Sequence, residues 1–166
     1  PETLDSVIRQ REALLTAYQN PAYAARYRAA VESVRAAEKR VGANPRLPLA
    51  EAVARNLAKL MAYKDEYEVA RLYADPAFLD KLRAQFEGEP GRDYQLSFHL
   101  APPLLAKRDS HGHLVKRRFG PAMLTAFRLL ARAKGLRGTA FDVFGKTAER
   151  RAERKLIEDY IAMAQE

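Results

Sequence analysis

Apolar residues recur at helical spacing from the start of the chain. Leu4, Val7, Ile8, Leu14, Leu15 and Tyr18 form one stripe, with Arg11 as its polar interruption. Asn20 followed by Pro21 is an N-cap with proline in the first turn, and it predicts a second helix to about Arg40. Tyr23, Tyr27, Val31 and Val34 share a face of that helix. Residues 41–48 hold Gly42, Asn44, Pro45 and Pro48, the composition of a loop. A long third helix is predicted over 49–73, striped by Val53, Leu57, Leu60, Met61 and Tyr67. Asp75-Pro76 repeats the cap signal and opens a fourth helix, with Phe78, Leu79, Leu82 and Phe86 facing inward. Residues 88–91 end it.

The period changes after Asp93. Tyr94, Leu96, Phe98 and Leu100 alternate with Gln95, Ser97 and His99, as in a half-buried strand. A turn at 109–112 and a second strand within 114–119 complete an antiparallel hairpin. Two strands alone are marginal, so the hairpin must pack on helices or on a partner. Gly120-Pro121 opens a fifth helix to about Lys134, with Met123, Leu124, Phe127 and Leu130 inward. Thr147 caps a last helix carrying Leu156, Ile157, Tyr160 and Met163. Thirty alanines reinforce the helical reading. The expected fold is mainly α: about six helices plus a small antiparallel β-hairpin. It is read as one domain over 1–166, with a helical half at 1–88 and a hairpin-plus-helices half at 89–166. A start at Pro1 inside a helical pattern suggests a piece of a longer chain.

Composition narrows the chemistry. Cysteine is absent, which excludes disulfides, thiolate metal sites, iron–sulfur ligation and a Cys nucleophile in this sequence, and fits a cytoplasmic location. No apolar run reaches the length of a membrane span. The net charge of +8 is confined to 107–137. There Lys107, Arg108, Lys116, Arg117, Arg118, Arg128, Arg132, Lys134 and Arg137 face only Asp109, and the rest of the chain is neutral. This segment is where an acidic partner would be met. All of these but Lys134 form the candidate partner-binding patch. Phe119, Phe127 and Phe141 are interleaved with it, so base stacking and phosphate tracking are open to it. Phe127 also has ordinary core spacing.

Three weaker signals remain. Gly145-Lys146-Thr147 resembles the end of a P-loop, but Ala140 stands where that motif has glycine. A helix cap is the simpler reading, with anion binding at the helix start beside Lys146 as the alternative. His111 and His113, with Asp109, are geometrically able to clamp a metal but lack a recognised zinc spacing. Lys64 falls inside the apolar stripe, so it needs a carboxylate such as Glu68; a structural ion pair is favoured over an acid–base pair.

Several stretches resemble, in one collinear order, the C-terminal region of large fused bacterial indolepyruvate ferredoxin oxidoreductases. They are Leu15-Thr16-Ala17-Tyr18-Gln19-Asn20, Tyr23-Ala24-Ala25-Arg26-Tyr27, residues 62–73 with Asp75-Pro76-Ala77-Phe78, and Phe98-His99-Leu100-Ala101-Pro102-Pro103-Leu104-Leu105. Phe119-Gly120-Pro121, Lys134-Gly135-Leu136-Arg137-Gly138-Thr139-Ala140 and Thr147-Ala148-Glu149-Arg150-Arg151 continue the series. The resemblance implies a parent enzyme that oxidatively decarboxylates aryl 2-oxoacids to acyl-CoA and passes electrons to ferredoxin. Thiamine diphosphate and iron–sulfur clusters are expected in that parent and no cofactor in this fragment. The resemblance points to an accessory domain, so no catalytic, cofactor-binding or metal-binding residue is transferred. The expected partners are the other modules of the parent, with ferredoxin, a second copy of the chain, CoA phosphates or nucleic acid as alternatives, and no membrane.

Overall fold

A computed structural model describes residues 2–42, 44–88, 92–100, 115 and 117–166. The described residues form seven α-helices and a two-stranded antiparallel sheet, the mainly α fold with a small hairpin that the pattern predicts. They divide into two compact units. Unit 1 comprises 1–63 and 135–166, and unit 2 comprises 64–134.

Unit 1 is built from α1 (Leu4–Tyr18), α2 (Pro21–Val41), α3 (Pro48–Met61) and α7 (Ala148–Gln165). Thr3 and Ser6 form a reciprocal capping box on α1. Asn20 accepts from the Tyr23 N–H at 2.8 Å and starts α2. Gly42 ends α2 with φ 68°, a left-handed geometry open to glycine. The start of α3 has no local cap, because Leu47 supplies no polar side chain. Glu38, from the end of α2, replaces it by accepting from Leu49 N at 3.0 Å and Ala50 N at 2.8 Å.

The core of unit 1 is the expected stripe set: Val7, Ile8 and Leu15 of α1, Val31 and Val34 of α2, and Val53, Leu57 and Met61 of α3. Buried Ala30, Ala50, Ala54 and Ala58 have little side chain to hold neighbouring backbones apart. Three tyrosines fasten α1 and α2 to α3 and the residues just beyond it. Tyr18 Oη donates to Tyr63 O at 2.8 Å, Tyr23 Oη to Met61 O at 2.9 Å, and Tyr27 Oη to Ala54 O at 2.9 Å. The carbonyls of Met61 and Tyr63 lie at and just beyond the end of α3, where no further helical turn donates to them. Buried phenols thus satisfy themselves and the helix end together.

Unit 2 contains α4 (Glu66–Ala74), α5 (Pro76–Gln85), β1 (Phe98–Leu100), β2 (Arg117–Phe119) and α6 (Met123–Arg132). A 3-10 turn over Ala133–Leu136 follows α6. The hairpin register pairs Phe98 with Phe119, His99 with Arg118 and Leu100 with Arg117. Its core is aromatic. Tyr73 stacks on Phe127 at 5.1 Å and meets Phe98 edge-on at 5.2 Å, while Phe98 meets Phe127 edge-on at 5.1 Å. Ala70, fully buried, lies in the same cluster.

Two predicted features differ. The helix expected over 49–73 is two helices, broken at 62–65. Asp65 turns the chain by accepting from Glu68 N at 2.9 Å, and an aspartate followed by acidic residues is a strong helix start. Helix α5 buries none of its inward set: Phe78, Leu79 and Leu82 are half-buried, and Phe86 is exposed beside Tyr94. Asp75 caps it as expected, accepting from Ala77 N.

Candidate functional site

Five residues of the predicted basic patch fall among the described residues: Arg117, Arg118, Arg128 and Arg132 in unit 2 and Arg137 in unit 1. Lys107, Arg108 and Lys116 lie outside the described residues, as do Asp109, His111 and His113 of the metal-clamp reading. Arg117 and Arg118 are adjacent on β2, and adjacent strand residues point to opposite faces. Arg118 sits opposite His99, and its Nε donates to Ser97 Oγ at 2.9 Å. Arg128 and Arg132 are exposed on α6, while Phe127 of the same helix is buried. Arg117, Arg118, Arg128 and Arg132 are all exposed, and none forms an ion pair among the described residues.

Arg137 is the clear departure from the patch. It belongs to unit 1 and is only 4% exposed. Its Nη1 donates to Tyr18 O at 2.7 Å, and its guanidinium stacks 3.7 Å from the centroid of the Tyr18 ring. The Tyr18 carbonyl is the last of α1, at the negative end of that helix. A planar cation suits both the carbonyl and the ring face.

The Gly145-Lys146-Thr147 segment is a helix start, with Thr147 Oγ1 accepting from Arg150 N at 3.2 Å. The anion beside it is the chain's own. Buried Asp142 accepts from Gly138 N at 2.7 Å, Phe144 N at 3.2 Å and Gly145 N at 2.9 Å. A Cβ at Gly145 would lie 2.1 Å from Asp142 Oδ2, so glycine is what lets the carboxylate approach. In the sequence Asp142 carries only a weak signal, an aspartate between Gly138 and Gly145 in a loop. Phe141 is 76% exposed, Phe119 is half-buried and Phe127 lies in the core of unit 2.

Lys64 is exposed and does not lie in an apolar stripe, because the helix expected to carry it is broken there. Glu68 is gripped by Arg71 instead, through two hydrogen bonds of 2.8 Å each. Among the described residues no group of three His, Asp or Glu is placed to hold a metal ion. No described helix is long and apolar enough to cross a membrane.

Unit 1 carries an apolar groove between α3 and α7. It encloses about 530 Å³ and is lined chiefly by Leu60, Leu156, Tyr160 and Met163, with Asn56, Lys59 and Asp159 at its edges. Leu156 is 54% exposed and Met163 63% exposed. Of the apolar residues predicted on the inner face of α7, only Ile157 is buried. The helix therefore presents a second apolar edge to solvent, where water contact is unfavourable.

The sequence model of a family of unknown function (DUF6537) matches residues 4–166. No curated protein and no solved structure matches the chain.

Proposed function

The chain belongs to that family of unknown function, and we propose that it is a non-catalytic accessory and assembly domain of an indolepyruvate-type 2-oxoacid:ferredoxin oxidoreductase. In this reading the parent enzyme decarboxylates aryl 2-oxoacids oxidatively to acyl-CoA, with thiamine diphosphate, iron–sulfur clusters and ferredoxin serving that chemistry outside this chain. The resemblance along the chain supplies the parent. The observation that carries the assembly role is the α3–α7 groove, where Leu156 and Met163 stand exposed beside Leu60 and Tyr160. Burying such side chains against another module contributes roughly 25 cal/mol for each Å² removed from water. The test is the double change Leu156→Asp and Met163→Asp in the intact gene product, read by sedimentation. Loss of the native assembly with helix content retained supports the role; an unchanged assembly overturns it.

A second reading rests on unit 2. Arg117, Arg118, Arg128 and Arg132 are exposed without described carboxylate partners, which favours an acidic protein such as ferredoxin as a docking partner. Steering of that kind makes association slow steeply as salt rises. Association that is fast and indifferent to salt removes this reading and leaves the assembly role standing.

A further inference from the structure

Unit 1 has a second concavity, which the assembly role leaves unused. It encloses about 280 Å³, and its walls include Tyr23, Arg26, Tyr63, Arg137, Arg154 and Glu158. Three arginines and one glutamate thus line one small space. Asp142, 3.9 Å from Arg154, still leaves the group with an excess of positive charge.

The arginines are differently engaged. Arg26 holds Glu158 at 2.6 Å on the open side, where both are well exposed. Arg137 is fixed by the Tyr18 carbonyl and ring. Arg154 donates from Nη2 to Gly145 O at 2.6 Å, while its Nη1 is buried without a hydrogen-bond acceptor. Asp142 Oδ2 lies 3.9 Å from Nη1, close enough for attraction and too far for a hydrogen bond. A buried guanidinium N–H without an acceptor is costly.

Two other features favour a negative ligand. The first two turns of the 21-residue α2 contribute Tyr23 and Arg26 to the walls, so the positive end of that helix lies near the cavity. The walls are also held in advance: Tyr23 Oη is bonded to Met61 O, and Arg137 to Tyr18 O. A site whose side chains are already ordered spends less on binding. The volume is near the lower end of ligand pockets, which suits a small molecule with one flat apolar part.

We propose that this cavity binds a small organic oxyanion, a carboxylate or a phosphate ester, whose oxygens are held by Arg26, Arg137 and Arg154 and whose apolar part lies against Tyr23 and Tyr63. The ligand's oxygens exchange with Glu158 for Arg26 as the site loads. Planar guanidiniums are the groups best matched to such oxygens.

The test is calorimetric titration of the chain with benzoate, phenyl phosphate and inorganic phosphate, with helix content checked for each variant. Saturable one-to-one binding of at least one probe is expected. Arg154→Lys and the rim change Arg26→Gln should each weaken it about tenfold, the worth of one charge-assisted bond. Glu158→Gln should tighten it several-fold, because a competing carboxylate is removed. Binding of benzoate alone identifies a carboxylate site. Binding of either phosphate alone identifies a phosphate site. Absence of saturation by about 10 mM of all three probes, weaker than useful recognition, overturns the proposal. So does binding that both arginine changes leave intact. Neither result bears on the α3–α7 groove, so this proposal and the assembly role fail separately.

Discussion

Arg137 Nη1 donates to the Tyr18 carbonyl at 2.7 Å while the same guanidinium lies over the Tyr18 ring, 3.7 Å from its centroid. One buried cation thereby serves both the end of α1 and the aromatic side chain that ties α1 to Tyr63. The return segment after unit 2 is anchored to the first helix of the chain by this contact.

Removing that anchor should be costly. Arg137→Met leaves the Tyr18 carbonyl without its charged donor, a loss of about 2–3 kcal/mol. Urea unfolding should show it as a lower midpoint with an unchanged slope. Arg137→Lys should recover only part of the loss, since an ammonium does not stack as a guanidinium does.

Two glycines of the same segment should respond oppositely to alanine. Gly145→Ala puts a Cβ 2.1 Å from Asp142 Oδ2 and displaces the carboxylate from three backbone donors. A loss of about 2 kcal/mol or more is expected. Gly135 has nothing within 4 Å of its Cβ position and lies in the 3-10 turn. Gly135→Ala should be neutral or stabilising by about 0.5 kcal/mol, through the unfolded chain. Thermal melts of the two variants side by side check the contrast.

In unit 2 the aromatic cluster should dominate. Phe127 is 3% exposed and contacts both Tyr73 and Phe98. Phe127→Ala should cost about 3–5 kcal/mol. Amide hydrogen exchange should then show protection lost in α4 and α6.

Ion pairing around α4 gives a paired prediction. Glu68 is 8% exposed and bound twice by Arg71. Arg71→Met strips a buried carboxylate of those bonds and should destabilise by about 3 kcal/mol. Lys64→Met, at an exposed position, should change the melting temperature little.

Alkaline pH should expose the burial of Tyr27. Burial pushes its phenol up to about 12 from the ordinary 10. The neutral form is favoured in the folded chain, so its contribution is complete below pH 10 and is lost as pH rises towards 12. Stability measured across that window should fall, and Tyr27→Phe should flatten the fall. The variant also gives up the bond to Ala54 O, which lowers stability at neutral pH.

What the sequence made legible was mostly local. Asn20-Pro21, Asp75-Pro76 and Thr147 start helices where predicted, because an N-cap bonds only to its own first turn. The alternation ending at Phe98 and Leu100 identified the hairpin and its inward face, and His99 is exposed as expected. The break before α4 was readable in Asp65, but the stripe joining Leu60 to Tyr67 outweighed it. Contacts across long separations were not legible. Glu38 caps α3 from another helix, and Arg137 reaches Tyr18 across more than a hundred residues. Counting charge treated Arg137 as solvated, whereas a carbonyl and an aromatic face allow it to be buried. The α3–α7 groove was hidden for the opposite reason. Leu156 and Met163 have helical core spacing, and spacing alone does not say which core they enter.

The central claim is that this chain works as an accessory domain of a large oxidoreductase. The most direct measurement is the mass of the native gene product, by immunoblot of source-cell lysate with antibody raised against this chain. The account predicts a band several-fold heavier than 18.7 kDa. A band at 18.7 kDa with no heavier precursor would contradict it and turn attention to a standalone basic binding protein.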